Sequence, residues 1–244
     1  NIPHYPEQAL KRFEEVYKDI AEPARRSYAA IVSTTDHYIG QIVDKLEALG
    51  LRENTIIIFM SDNGHSEETG NRIRLDNHRS GYPKGHFYGA SGGGSTGKWI
   101  GQKGSFLEGG VRVPAIISYP AKLPKGKVRG QIITAMDWFP TVLDLCGVQQ
   151  LSGSPKLDGH SVLPLIRNAK AKSKNKILHF AWGKKWAVRE SDWKLIGSDG
   201  NTKVSLRNLA DAKPEARDYA KVKPEIVRRL RKLHTDWVNE VSPK

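Results

Sequence analysis

The chain has 244 residues and a mass of 27.2 kDa, enough for one large domain or two modest ones. Its one cysteine, Cys146, excludes an internal disulfide and a multi-cysteine zinc site. The longest apolar run, at residues 56–60, is far shorter than the roughly 20 residues of a membrane-spanning helix, so no membrane span is expected.

The chain is strongly basic. It has 39 Lys and Arg against 26 Asp and Glu, a formal net charge of +13. Residues 61–130 contain 11 basic and five acidic side chains, and residues 171–244 contain 18 and nine. A positive field of this kind attracts anions. Nucleic acid is not expected as a partner, because neither zinc-finger spacing nor an aromatic–basic RNA-binding signature is present.

The first two-thirds of the sequence reads as an α/β domain. Helical spacing of apolar residues predicts a helix over residues 7–21 and a second from Pro23 to a stop at Gly50. Residues 54–60 are continuous, apolar and β-branched, which is typical of a strand buried on both faces of a parallel sheet. A second strand is predicted at residues 113–119, followed by a helix at residues 137–145.

The last third has a different sequence pattern, in which short strand-like segments are separated by turns. They indicate an antiparallel meander with strands at residues 177–182, 186–189, 193–196 and 204–206. A helix over residues 224–238 closes the chain. The Lys-rich stretch 168–176 is the best boundary, so we expect a main domain at 1–170 and a C-terminal subdomain at 171–244.

The first candidate site is Ser61-Asp62-Asn63-Gly64-His65, directly after the predicted buried strand. In open α/β sheets, ligands bind beyond the carboxyl ends of the strands. A carboxylate beside an amide offers the oxygen ligands that Ca²⁺ or Mg²⁺ requires. Taken alone, these residues favour a plain turn, since Asn-Gly is a common turn pair.

The second candidate site is a glycine-rich segment, Lys103–Pro114. A lysine among glycines brings a compact positive charge close to an anion without steric hindrance. Arg112 has a forked side chain suited to pairing with Glu108 or with a backbone carbonyl. The alternative is a loop with solvated charges.

The third candidate is His4, which two prolines hold in the rigid segment Pro3-His4-Tyr5-Pro6. A stiffly presented imidazole can donate or accept a proton during catalysis. Most such histidines have a surface or packing role, so this motif is weak on its own.

Taken in order, these pieces resemble the sulfatase family of the alkaline-phosphatase-like superfamily. Residues 28–64 look like the family's helix, turn, strand and Asp-Asn-Gly. Residues 103–114 look like its Lys-Gly-x-x-x-Glu-Gly-Gly-x-Arg-Val-Pro signature. Residues 158–166 and 187–210 look like its Asp-Gly-x-Ser element and its small C-terminal sheet. The implied fold is a mostly parallel sheet flanked by helices, with a small antiparallel sheet and a closing helix.

The resemblance also implies a function, the hydrolysis of a sulfate ester of a small molecule or a carbohydrate. Carried over by position, Asp62 and Asn63 match ligands of the family's divalent cation, usually Ca²⁺, with Mg²⁺ as the alternative. Lys103 matches the lysine that binds the sulfate. His4 matches the histidine that protonates the leaving alcohol, and His65 is a candidate substrate contact. Family members are commonly periplasmic, extracellular or lysosomal, but the sequence itself indicates no compartment.

One family motif does not occur in the chain. The family's nucleophile is a formylglycine made from the Cys or Ser of Cys/Ser-x-Pro-x-Arg, and this sequence contains no such motif. We therefore expect a C-terminal half whose missing N-terminal half carries the formylglycine, so that this fragment alone is inactive. Two alternatives stay open: a phosphodiesterase or phosphonate monoester hydrolase of the same superfamily, and a non-catalytic basic module that binds polyanions.

Overall fold

A computed structural model describes residues 9–66 and 93–242. Within them the backbone forms two compact units. The first contains residues 9–51, 60–66, 93–115 and 210–217, and the second contains 52–59, 116–209 and 218–242. The predicted domain boundary after residue 170 stays a prediction.

Two helices dominate the first unit. They are α1 (Lys11–Val16) and α2 (Pro23–Ala48), which pack against each other. The Glu22 carboxylate caps α2 by accepting a hydrogen bond of 3.0 Å from the Ala24 N–H. The helix ends at Ala48, Gly50 follows with φ +68°, and Leu51 N–H donates to Leu46 O at 2.8 Å. These bonds satisfy the last carbonyls of the helix, as the glycine stop predicted.

The first helix is shorter than predicted. It ends at Val16, whereas the apolar pattern continued to residue 21. Turns occupy residues 17–19, where Ile20 N–H donates to Tyr17 O at 3.0 Å. Pro23 restricts the backbone of Glu22, so the chain leaves the helical conformation before α2 begins. Residues 7 and 8 of the predicted helix lie outside the described part of the chain.

Both predicted central strands form, but their burial was predicted wrongly. Strands β1 (Ile57–Met60) and β2 (Ala115–Ser118) pair in a two-stranded sheet. Ile58 is 36% exposed, Phe59 42% and Ile116 59%. The strand sequence is typical of a doubly covered strand, but the described residues cover these side chains only in part. Between the two strands, Glu108–Val111 forms the one-turn helix α3.

A buried carboxylate organises the middle of the second unit. Asp137 is fully buried before helix α4 (Trp138–Cys146). Its oxygens accept hydrogen bonds from Thr134 N–H at 2.7 Å, His160 N–H at 2.8 Å and the Asn175 amide at 2.6 Å. One side chain thus joins three segments that are distant in sequence. The short helix α5 (Leu163–Arg167) follows, and Cys146 is exposed at the end of α4.

The predicted C-terminal meander is confirmed. Its four strands are antiparallel neighbours in chain order: β3 (Ile177–Trp182), β4 (Lys185–Glu190), β5 (Trp193–Ser198) and β6 (Ser205–Asn208). Helix α6 (Pro224–Val241) packs on β4 and β5. The buried core between sheet and helix consists of Trp186, Val188, Leu195, Leu206 and Leu230. The predicted closing helix is therefore present, and its buried apolar residues face the sheet.

Two histidines stack on two tryptophans where α6 meets the sheet. The His179 ring is parallel to Trp237 with centroids 4.9 Å apart, and His234 stacks on Trp186 at 4.1 Å. Both Nδ1 atoms are buried, with no hydrogen-bond partner among the described residues. Burial, followed by the effect of His234, lowers the pKa of His179 to about 4. Burial also lowers the pKa of His234, with Asp199 opposing the shift and Arg231 reinforcing it.

These imidazoles make the second unit sensitive to acid. Because their folded-state pKa values lie below the unfolded value of about 6.5, the unfolded chain binds more protons between about pH 6.5 and pH 4. The free energy of unfolding should therefore fall as the pH drops through that window. In thermal unfolding of the protein, His179→Phe with His234→Phe should flatten this part of the pH profile. The same change at the exposed His160 should leave it intact, and an unchanged slope in the double variant would contradict the assignment.

Candidate active site

The first candidate motif forms a tight turn at the end of β1. The Ser61 hydroxyl donates to Asn63 O at 2.8 Å, and the Asn63 amide nitrogen donates to an Asp62 carboxylate oxygen at 2.8 Å. This bond leaves the second carboxylate oxygen of Asp62 and the amide oxygen of Asn63 available as ligands. Asp62 is exposed and Asn63 is half-buried. The described residues contain no group of three or more His, Cys, Asp or Glu arranged to hold a metal.

Glycines let this turn lie directly against the second candidate segment. Gly64 N–H donates to Gly110 O at 2.9 Å. A Cβ at Gly64 would collide with the backbone carbonyl of Gly109, and a Cβ at Gly109 would collide with the carbonyl of Gly101. Only glycine permits such close backbone approach. The turn at Gly64 and the distant stretch of residues 100–110 are therefore packed together through glycine positions.

This packing brings the backbone of Lys103 next to the turn that contains Asp62 and Asn63. Lys103 N–H donates to the backbone oxygen of His65 at 2.9 Å. The side chain of Lys103 is half-buried. Asp62, Asn63 and Lys103, which the sequence offered as separate candidates, thus belong to one backbone-linked site within the first unit.

A buried ion pair supports the glycine-rich segment. Glu108 is 2% exposed, and its carboxylate lies 3.2 Å from the Arg112 guanidinium, as the sequence predicted. The Arg112 guanidinium carbon lies 4.1 Å from the centroid of the Trp99 ring. Planar stacking of this kind favours arginine over lysine. The pair sets the orientation of α3, whose glycines contact the Asp62 turn.

One supporting residue was missed by the sequence reasoning. Glu215 is 1% exposed and accepts a hydrogen bond of 2.7 Å from Glu108 N–H at the start of α3. Its own φ is +61°, an uncommon conformation for a residue with a side chain. Glu215 lies 107 positions along the chain from its partner, and no local pattern marks it.

His65 has a packed position beside the site. Its ring meets the Tyr28 ring edge-on with centroids 5.6 Å apart, and a Cβ at Gly94 would lie 2.5 Å from its Nδ1. The ring therefore has a defined orientation, although its role as a substrate contact stays a prediction. His4 lies outside the described residues, and its role as a proton donor also stays a prediction.

Comparison with known proteins agrees with this arrangement. The family model described as Sulfatase matches residues 1–148, and the model described as N-sulphoglucosamine sulphohydrolase, C-terminal, matches residues 98–234. Each covers more than half of the chain.

The chain belongs to the sulfatase family.

Individual relatives agree with this membership. Steryl-sulfatase of Mus musculus is 35% identical over 165 residues, which are 67% of this chain and 24% of that protein. The crystal structure of Ps i-CgsB in complex with k-i-k-neocarrahexaose superposes with a TM-score of 0.73 at 25% identity, covering 97% of this chain and 48% of that one. The predicted alkaline-phosphatase-like α/β fold is thereby confirmed. This sulfatase-family chain spans less than half the length of these relatives.

A more distant similarity concerns the alternative activity. The phosphonate monoester hydrolase SpPMH from Silicibacter pomeroyi superposes with a TM-score of 0.59 at 18% identity, over 88% of this chain and 40% of that one. At this identity the likeness shows a shared fold only. No helix among the described residues of the sulfatase chain is long and apolar enough to cross a bilayer.

The glycine stacking can be tested by adding single methyl groups. Gly110→Ala would drive a Cβ into the carbonyls of Ser105 and Gln102, so we expect destabilisation of about 1–3 kcal/mol. Gly40→Ala is the matched control in α2, where an added Cβ meets nothing within 4 Å. The control should be neutral or stabilising by about 0.5–1 kcal/mol. Chemical denaturation measures both, and equal effects would show that close backbone contact is not required.

Proposed function

We propose that the protein containing this chain is a sulfuric ester hydrolase and that residues 1–244 supply one side of its active site. The observation that carries the proposal is the hydrogen bond of 2.9 Å from the Lys103 backbone N–H to the backbone oxygen of His65. It joins the segment of a lysine, whose ammonium group suits a sulfate, to the turn of a carboxylate and an amide, whose oxygens suit a divalent cation. Family membership, which the matches establish, points to the same chemistry.

The residues present fit a hard divalent cation. Asp62 supplies a carboxylate and Asn63 an amide oxygen, held side by side by their mutual hydrogen bond. Ca²⁺ takes six to eight oxygen ligands, so these two residues would provide only part of its coordination shell. We propose Ca²⁺ as the ion, with Mg²⁺ as the alternative. When bound, it would neutralise the sulfate oxygens as charge develops in the transition state.

The remaining candidates have complementary roles. Lys103 places an ammonium group at the sulfate, where it stabilises negative charge without needing a second cation. His4 would protonate the oxygen of the departing alcohol, as a general acid must. His65 would contact the substrate beside the metal-type turn. The proposed substrate is a sulfated small molecule or carbohydrate.

We also propose that the nucleophile, a formylglycine, lies in an N-terminal half outside these 244 residues. Surface chemistry supports further polypeptide beside the chain. In the second unit Ile58, Phe59 and Ile116 are substantially exposed, although their strand sequences are typical of covered strands. In the first unit the long helix α2 exposes Tyr38 and Ile42 on one face. Exposed apolar patches of this kind mark interaction surfaces.

The phosphonate hydrolase alternative has weaker support. The phosphonate monoester hydrolase SpPMH shares the fold, but its sequence is 18% identical to this chain. The position of Lys103, beside the Asp62 turn, favours a sulfate.

The role of Lys103 has a direct kinetic test in the full-length protein. Lys103→Ala should lower kcat/KM for 4-nitrophenyl sulfate by about 10²–10³-fold, because one preorganised electrostatic contact to the reacting group is lost. Lys98→Ala is the matched control, an exposed lysine of the same loop that should retain activity. Equal activity in the two variants would remove Lys103 from the site. A higher rate with 4-nitrophenyl phenylphosphonate than with the sulfate would support the alternative activity.

The proposed division of the active site predicts that residues 1–244 alone are inactive. Purified chain should not hydrolyse 4-nitrophenyl sulfate with or without added Ca²⁺, since the nucleophile is missing. Co-expression with the N-terminal half should restore turnover. Metal-dependent hydrolysis by the isolated chain would contradict the assignment of the nucleophile to another segment.

A further inference from the structure

The turn between β3 and β4 presents an unusual side-chain group. Trp182 and Lys185 are directly paired across the antiparallel strands, and Gly183 and Lys184 form the tight turn between them. Gly183 has φ +57°, which allows the reversal within two residues. Asp199 N–H donates to Lys184 O at 2.7 Å and tethers the tip to the loop after β5. The tip is therefore a defined structure held at both sides.

The indole at this tip is open to solvent. Trp182 is 64% exposed, whereas Trp186 in the next strand is 5% exposed and belongs to the core under α6. Because strand side chains alternate between faces, Trp182 and Lys185 project from the face opposite to Trp186. An exposed indole forgoes a large hydrophobic gain, since aromatic side chains dominate core energetics. The indole therefore offers a flat apolar surface that a ligand can reach.

Two lysines frame the exposed ring. The Lys185 ammonium lies 6.0 Å from the Trp182 ring centroid, at the outer limit of a cation–π contact. Lys184 is exposed beside it. The surrounding residues 171–244 carry twice as many basic as acidic side chains, 18 against nine. An anion approaching this tip is therefore attracted both by the field of the region and by two local point charges.

This composition favours a saccharide over a polypeptide as the ligand. Protein interfaces deplete lysine and group several apolar side chains together, as at Ile58 and Phe59. At the hairpin tip a single indole is flanked by two ammonium groups. The apolar face of a pyranose ring stacks on an indole, and a sulfate on the same ring meets the lysines.

We propose that Trp182, Lys184 and Lys185 form a binding subsite for a sulfated sugar unit. The choice of sulfate as the anion rests on the proposed function, whereas the aromatic platform and its charges do not. The subsite would hold a saccharide chain on the protein without taking part in bond cleavage. It also assigns a role to part of the positive charge beyond residue 170.

Calorimetric titration of the full-length protein with a heparin-derived hexasaccharide tests the subsite. Trp182→Ala should raise Kd at least about tenfold, and Trp182→Phe should raise it less because a ring is retained. The double change Lys184→Ala with Lys185→Ala should weaken binding more than Lys172→Ala with Lys174→Ala. That control removes the same charge from exposed lysines just before β3. All five substituted residues are exposed, so unchanged thermal unfolding is expected.

Three results would overturn the subsite: binding by Trp182→Ala equal to wild type, equal losses in the two lysine pairs, or equal binding of the fully desulfated hexasaccharide. A wild-type protein that does not bind the hexasaccharide would overturn it as well. Hydrolysis of 4-nitrophenyl sulfate is measured in parallel and should be unchanged in every variant. Loss of that activity in wild type, with the binding differences intact, would refute the proposed function and leave the subsite standing.

Discussion

Close backbone contact through glycine is the constraint on which the candidate active site depends. Gly64, Gly109 and Gly110 each lie where a Cβ would strike a neighbouring carbonyl, and Gly64 N–H donates to Gly110 O across the contact. Glycine is costly in helix α3, by about 0.5–1 kcal/mol per residue relative to alanine. The cost is offset because these positions let Lys103 reach the turn of Asp62 and Asn63. Chemistry at this site is thus set by the absence of side chains as much as by their presence.

The second unit is organised by a different principle, local pairing. Its four strands follow one another in the sheet in chain order, and α6 covers one face. Pairing neighbouring strands through short turns has a small entropic cost of loop closure. Local sequence therefore determines most of the arrangement. Long-range contributions enter at single residues such as Asp137, whose carboxylate joins residues 134, 160 and 175.

Positive charge is used in several distinct ways in this chain. Lys103 belongs to a segment bonded through its backbone to His65 O, Arg112 is stacked on Trp99 and paired with Glu108, and Lys194 is fully buried in β5. Other basic side chains lie on exposed surface, including those of the β3–β4 tip. The net charge of +13 therefore describes no single binding surface. The charge count indicates that the chain attracts anions. Only the position of a basic side chain shows whether it can bind a sulfate or forms an ion pair within the protein.

The sequence by itself determined the type and order of the elements, because apolar periodicity, glycine stops and turn residues act within a few positions. Helix α2, the C-terminal meander and the pair of Glu108 with Arg112 were predictable for this reason. The sulfatase family was also readable, since the Asp62 turn and the Lys103 segment carry its motifs. Only the tertiary structure decided that Glu215 supports α3, that β1 and β2 expose apolar side chains, and that Trp182 is open while Trp186 is buried. These features depend on contacts between residues far apart in the chain, which no local pattern encodes.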